Sequence, residues 1–465
     1  MPQFALLLIL TGIAYSAVRD HYFVWDTIPF VLENPWIHGW SFSNTLSILT
    51  EAHRANWHPL VLFSHAVDFS LFGQNSGAHH LMNLGYHLIN ASLVYLLIYR
   101  LLLVNQCNRA TDRRKALWIA WLTALIFAIH PQHVESVAWV VERKDVLYSL
   151  FTLLTLLAYL NSTQTENWKS KLLPLVMFAL ALCAKPMAVT LPVILLLLDF
   201  YPLRRINSVR QFAWTCLNKA PYFLLSGAVV LITLSTQSIA MPNETRLPLW
   251  VSALNAINNT WFYVQHYIWP LELSPFYPYP QNMTYLRSPD FWLPGTLFLG
   301  SILIGGSVLF YRGYRWPMVL ALCYLVTLAP VSGLIHVGPA KATDHYVYLA
   351  TLPISLATAL GLSWLWSFSR RLQVPVAAIT ACYLLGLLLV TQLQVSYWNN
   401  PLSLWTRVVT LYPNSAFGHR NLAAAYVQID DWDMALYHAE QSLLMGSPDR
   451  KFVEGVRKRV GGDAR

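Results

Sequence analysis

Asp26 lies in the stretch Trp25-Asp26-Thr27-Ile28-Pro29-Phe30, directly after the first apolar segment of the chain. A carboxylate at the edge of a bilayer is placed to take a proton from a hydroxyl while a lipid-borne substrate stays in the membrane. A second stretch runs from His130-Pro131-Gln132-His133-Val134-Glu135 to Glu142-Arg143-Lys144-Asp145, between two apolar runs. Desolvating charge there is expensive, so these groups pair with one another or bind something charged. Arg143 and Lys144 suit a phosphate, the first as a forked donor and the second as a point charge. Lys185, in Ala184-Lys185-Pro186, and Lys341, in Lys341-Ala342-Thr343-Asp344-His345-Tyr346, are further cations for the same task. Two plainer readings stand beside these. A salt bridge of Arg143 with Glu142 or Asp145 needs no ligand, and Lys185 could snorkel to the surface.

Histidines crowd the same loops. His58, His133 and His345, with Glu135 and Tyr346, suit hydrogen bonding to a sugar or a polar headgroup, although aromatic belts gather at membrane interfaces without any ligand. His130, His133 and Glu135 fall at i, i+3 and i+5, a spacing that could hold a divalent metal. Pro131 works against a regular helix face there, so no cofactor is firmly implied.

The elements that must position these residues are membrane helices. Of 465 residues, 56% are hydrophobic and 11% charged, where soluble domains carry roughly 25% charged residues. The net charge of +9 needs no nucleic acid, since basic loops flanking the spans account for it. Apolar runs near residues 3–18, 77–104, 117–130, 146–160, 172–184, 187–203, 220–238, 291–311, 316–335, 347–366 and 374–392 predict about 11 spans. The first is read as a retained helix, since it lacks the basic start of a signal peptide. Short basic loops, such as those holding Arg109, Arg113, Arg114 and Lys115 or Arg370 and Arg371, are assigned to the cytoplasm. The longer loops 19–76, 131–145, 239–290 and 336–346 then face outward, with 250–270 as an amphipathic helix on the outer surface. Cys107, Cys183, Cys216, Cys323 and Cys382 are scattered and read as packing residues. Residues 414–448 match one tetratricopeptide repeat of about 34 residues, with helices near 415–428 and 432–445. The chain thus reads as an all-α polytopic membrane protein of about 11 spans with external amphipathic helices. Its membrane domain is residues 1–392, and 393–465 form an external tail with a short tetratricopeptide-like hairpin.

Several stretches in order carry a resemblance: WDTIPFVLENP (25–35), NWHPLVLFSHAVDFSLFG (56–73), HHLMNLGYHLINA (79–91), HPQHVESVAWVVERKDVL (130–147), AKPMAVTLPVILLLLDFYPL (184–203), PFYPYP (275–280) and DHYVYLATLP (344–353). Together the set resembles bacterial multi-span proteins with tetratricopeptide tails. These are similar to the eukaryotic transmembrane O-mannosyltransferases with tetratricopeptide repeats, all within the C-type glycosyltransferase superfamily. The resemblance implies transfer of one sugar, with inversion, from a polyprenyl-phosphate carrier to an acceptor at the periplasmic face of a bacterial inner membrane. A protein Ser or Thr is the expected acceptor, with a pilin-like subunit among the candidates. Where the family pattern has two adjacent acids, this chain has Asp26 and then Thr27, and His345 stands where an arginine is usual.

In that reading Asp26 is the general base. Arg143, Lys144, Lys185 and Lys341 hold the donor phosphate, and His58, His133, Glu135, His345 and Tyr346 orient the substrates. Two rivals remain: a transporter or flippase of a lipid-linked sugar, and a non-catalytic membrane assembly protein docking through its repeat.

Overall fold

The computed structural model describes residues 2–54, 56–104, 110–165, 167–240, 248–280, 283–334 and 340–462. Cys107, Arg109 and parts of the expected outer loops (241–247, 281–282 and 336–339) lie outside the described residues. The chain is helical nearly throughout, as its apolar runs predict. Among the described residues, five helical stretches are long and apolar enough to cross a membrane: Pro2–Asp20, Ser76–Leu103, Val140–Ser162, Thr284–Tyr311 and Arg370–Tyr397. Two bent pairs, Thr111–Ala128 with Pro131–Ala138 and Val209–Asn218 with Ala220–Thr236, raise the number to seven if each is one span. Other expected spans are shorter, among them the apolar helices Pro186–Phe200, Trp316–Val331 and Leu352–Phe368 of 10–17 residues. A helix of about 17 residues rises only about 25 Å, against about 30 Å of hydrocarbon. By length, then, five to seven stretches span alone, not the expected eleven.

Proline sets several of the breaks. The Trp168–Ala184 helix stops at Lys185, which is extended (φ −156°, ψ 133°) because the Pro186 ring crowds the helical conformation of the residue before it. Pro131 lacks the N–H that would continue the Ala110–Ala128 helix, and the chain bends there by 55°. Both breaks fall where polar side chains collect.

Val140–Ser162 is the central stretch. Of its most apolar window 67% is buried, against 11% for Thr284–Tyr311 and 17% for Arg370–Tyr397, whose Ile304, Ile379 and Leu385 stand outward to lipid. Among the described residues one small sheet occurs, an antiparallel pair of Tyr277–Pro278 with Ala340–Ala342, with Tyr277 opposite Ala342. It ties the PFYPYP stretch to the Lys341–Tyr346 segment.

The Leu249–Ile268 helix corrects one expectation. Its amides do not face solvent on an outer surface. Asn258 donates to Phe291 O at 2.8 Å, Asn259 to Ser332 O at 2.9 Å, and Asn255 to Lys341 O at 3.3 Å. The polar stripe is a packed face, because its amide N–H groups donate to backbone carbonyls of three other segments.

The last long helix, Gln373–Tyr397, leads into four shorter ones: Pro401–Leu411, Ala416–Val427, Trp432–Leu444 and Arg450–Gly462. Asn400, Ser415 and Asp431 cap the first three with side-chain oxygens. Ala423, Ala439 and Val453 are buried together, so the small residues do permit close helix packing. Arg407 fastens this tail to the membrane body by donating to Leu271 O at 2.8 Å and Leu273 O at 3.2 Å.

Candidate active site

The turn Val140–Glu142 hands the chain to the helix Arg143–Ser162, so Glu142, Arg143, Lys144 and Asp145 all emerge at one helix end. Successive helical residues diverge by about 100°, whereas residues three apart share a face. Glu142 and Asp145 therefore point together, and Lys185 arrives between them from the Lys185-Pro186 break. Its Nζ lies 2.5 Å from Asp145 Oδ1 and 3.4 Å from Glu142 Oε2. Lys144 Nζ closes on Glu142 Oε1 at 2.8 Å, and Ser136 Oγ donates to Asp145 Oδ2 at 3.3 Å.

His345 and Glu135 complete the cluster. His345 Nδ1–H donates to Glu135 Oε1 at 2.7 Å, and its backbone N–H donates to Oε2 at 3.1 Å. That leaves Nε2 facing Glu142 Oε1 at 3.7 Å. Burial holds the His345 imidazole well below its usual range, so it is neutral, and its Nε2 accepts from Thr343 Oγ1 at 3.4 Å. The Lys185 ammonium also lies over the Tyr346 ring, 5.8 Å from its centre. Lys144, with 17% of its side chain exposed against 8% for Lys185, is the lysine nearest open space.

Asp26 approaches from the first loop. Its carboxyl is raised by burial and by Glu142, and opposed by Lys144 and Arg54, which places it in electrostatic reach of the cluster. The preceding Trp25 holds φ +52°, a left-handed conformation costly for a bulky side chain. Packing keeps it there: Trp25 stacks on Trp139 at 4.5 Å and meets the edge of Trp405 at 4.9 Å. His58 lies on the other side of Lys144. Burial, with Lys144 and Lys185, holds it down to about 3, and its Nδ1 has no hydrogen-bond partner among the described residues. A small cavity of about 20 Å³ separates His58 from Lys144 and Val141.

Four expected residues belong elsewhere. Arg143 is fully buried on the opposite face, ion-paired with Asp68. It also donates to Asn83 Oδ1 at 2.8 Å and His79 O at 3.0 Å, so it meets neither Glu142 nor Asp145 and faces no open space. His130 stacks on Tyr267 at 4.1 Å and bonds Tyr267 O at 3.0 Å. His133 pairs with Thr351 Oγ1 at 2.8 Å. With Glu135 committed to His345, the set His130, His133 and Glu135 does not converge on a metal. Lys341 occupies a separate cleft.

Two other groups do converge, Glu142–Asp145–His345 and His65–Asp68–His79, each with its donor atoms within 4.8 Å of one another. Lys185 and Lys144 already share the carboxylate oxygens of the first, and Arg143 takes Asp68 in the second. A divalent ion would sit against those cations, so the arrangement fits side-chain cations better than a metal. The sequence signal for Glu142 and Asp145 as site acids is their place between two apolar runs, where charge is costly, while spacing alone offers them only as partners for Arg143. Asp68, an acid in the apolar helix Pro59–Phe72, carried the same signal. Tyr277 was missed: its hydroxyl donates to both oxygens of Asp344, at 3.1 and 3.0 Å.

From Tyr148, one turn beyond Asp145, an apolar groove of about 970 Å³ runs along Thr152, Leu156 and Ile194 toward Lys115 and Arg204.

No family model matches the chain. It is 27% identical over 179 residues to protein O-mannosyl-transferase TMTC3 of Mus musculus, covering 36% of this chain and 18% of that one. To the mouse protein O-mannosyl-transferase TMTC2 it is 31% identical over 152 residues, 31% of this chain and 16% of that one. With a protein O-mannosyl-transferase of Caenorhabditis elegans it shares 24% identity over 443 residues, 90% of this chain and 59% of that one. The matches thus cover less than two thirds of each of these relatives, and what they establish is that the chain is similar to protein O-mannosyl-transferases, in one case along most of its length.

Proposed function

We propose that the chain is an inverting membrane glycosyltransferase that moves a single sugar, mannose by analogy with its relatives, from a polyprenyl-phosphate carrier to a Ser or Thr hydroxyl of a protein. The observation that carries this reading is that Asp26 lies in electrostatic reach of Lys144 and Glu142, and Glu142 in turn meets Lys185 and His345. Asp26 takes the acceptor proton as the acceptor oxygen attacks the anomeric carbon from the side opposite the phosphate. The new C–O bond forms as the sugar–phosphate bond breaks, and the phosphate oxygen keeps the electron pair. Lys144, the more open cation, and Lys185 behind it receive that charge, usually the largest catalytic contribution of this kind. His345 Nε2, Glu135, His58 and Tyr346 orient the sugar. His133 supports the wall through Thr351, and the groove beginning at Tyr148 takes the prenyl chain.

In this reading residues 1–392 carry the chemistry in a bacterial inner membrane. The site and the 393–465 tail lie on the periplasmic side, and the remaining short apolar helices bring the crossings to about 11. The test uses purified protein in detergent with polyprenyl-phosphate mannose and an acceptor peptide. Asp26→Asn should cut transfer at least about a hundredfold while donor binding persists. Undiminished turnover removes Asp26 from the base role. Absence of any transfer by the parent protein would leave a transporter as the better reading.

A further inference from the structure

Lys341 stands on the strand Ala340–Ala342 with its ammonium 4.2 Å from the ring centre of Phe262 and 5.6 Å from that of Phe291. It makes no ion pair among the described residues, and burial draws its pKa down to about 8. Ring faces satisfy a buried cation only in part, so an anion brought to it would recover lost solvation. The space beside it is a cleft of about 520 Å³, large enough for a few peptide residues. Its walls come from the Leu249–Ile268 helix, the start of Pro289–Tyr311, the Pro278–Pro280 segment and Leu411–Ser415 of the tail.

A second group in this cleft also lacks a partner. Asn258 spends its amide N–H on Phe291 O at 2.8 Å, which fixes the orientation of the group and leaves Oδ1 buried and unbonded. That oxygen can only accept. A peptide brings backbone N–H donors for it, whereas the phosphate of an anionic lipid brings none. The acid that lines the cleft, Asp290, is turned to its own helix start, where Ser288 Oγ donates to it at 3.3 Å. His345 stands four positions after Lys341, so their Cα atoms are at most about 14 Å apart, the length of about four extended acceptor residues.

We propose that this cleft binds an acidic side chain of the polypeptide acceptor, about four residues from the hydroxyl to be modified, with Lys341 meeting the carboxylate and Asn258 Oδ1 a backbone N–H. The inference rests on the reading of the acceptor as a protein, and it is tested without transfer. Full-length protein in phosphatidylcholine nanodiscs, with no sugar donor, is titrated with fluorescent Thr-containing peptides. Each peptide carries Glu or Gln four residues before or after the Thr. One Glu peptide should bind about tenfold tighter than its Gln counterpart. Lys341→Gln should erase the difference, and Lys341→Arg should keep it. Equal binding of both peptides, or a preference that survives Lys341→Gln, overturns the proposal. So does loss of the preference when phosphatidylglycerol replaces phosphatidylcholine, because a lipid headgroup then owns the cleft. A peptide preference without any measurable transfer would instead strike the catalytic reading and leave the subsite standing.

Discussion

At the residue scale, lysines hold the Glu142 and Asp145 carboxylates, and Asp344 is held differently. It has the Tyr277 hydroxyl but no cation, and burial pushes its carboxyl up to about 8. An ordinary aspartate ionises near about 4, so between about pH 4 and 8 the folded chain holds a proton that the unfolded chain has released. The sign follows from linkage. Stability from this group is whole below the unfolded value, falls as pH rises toward 8, and levels off once both states are ionised. Asp344→Asn keeps an acceptor for Tyr277 and carries no charge. In thermal unfolding of the purified protein, this variant should melt above the parent at pH 8, by a margin that shrinks toward pH 5. A margin that does not grow between those two pH values would mean the carboxyl is not held protonated by the fold.

At the element scale, the C-terminal helices form part of the wall around Asp26. Trp405, from Pro401–Leu411, meets Trp25 edge-on, and Phe417, from the next helix, lies 6.1 Å from Trp25 and stacks on Phe276 at 4.5 Å. A left-handed Trp costs on the order of 1–3 kcal/mol and persists only where its surroundings hold it. Trp405→Ala should therefore let Trp25 relax and admit water to Asp26. The expected result is a ten- to roughly hundredfold loss of kcat with little change in donor KM. The acid limb of the pH profile should move downward as the Asp26 carboxyl regains solvent, and Trp405→Phe should restore both. Activity that falls only in step with the amount of folded protein would reduce the tail to a structural prop. Nothing in the order of residues announces this contact, because Trp25 and Trp405 stand at opposite ends of the chain. What could be read were local quantities: apolar length, the Lys185-Pro186 break, and charge in the stretch that became the site. Partner choice could not be read. Arg143 turned to Asp68 because adjacent helical residues face different ways, and the asparagines of Leu249–Ile268 looked like a solvated stripe because their partners are distant backbone carbonyls.

At the scale of the whole molecule, the central helix Arg143–Ser162 has polar groups at both ends, and the two ends do different work. Tyr159 lies sixteen residues after Arg143, about 24 Å along the axis. There its hydroxyl donates to both Asp199 oxygens at 2.8 and 2.7 Å, with Arg205 Nη1 at 3.0 Å and the Lys219 ammonium also on Asp199. The Asp199 carboxylate is completely buried and all its bonds are to side chains of this chain, so this end reads as an anchor tying Arg143–Ser162 and Leu191–Phe200 to the segments of Arg205 and Lys219. The groove from Tyr148 runs along the stretch between the two ends, through Thr152 and Leu156. Removing one member of a buried ion pair strands the other, at a cost of about 3–5 kcal/mol. Asp199→Ala should accordingly lower the melting temperature and the yield of folded protein. Adding Lys219→Met should recover much of the loss, since the stranded ammonium is then gone. Transfer per folded molecule should stay within about twofold of the parent in the double variant, because neither group faces the acid–lysine cluster. If the melting temperature holds while turnover collapses, the division between a reactive end and an anchoring end is wrong, and Asp199 must be acting on substrate.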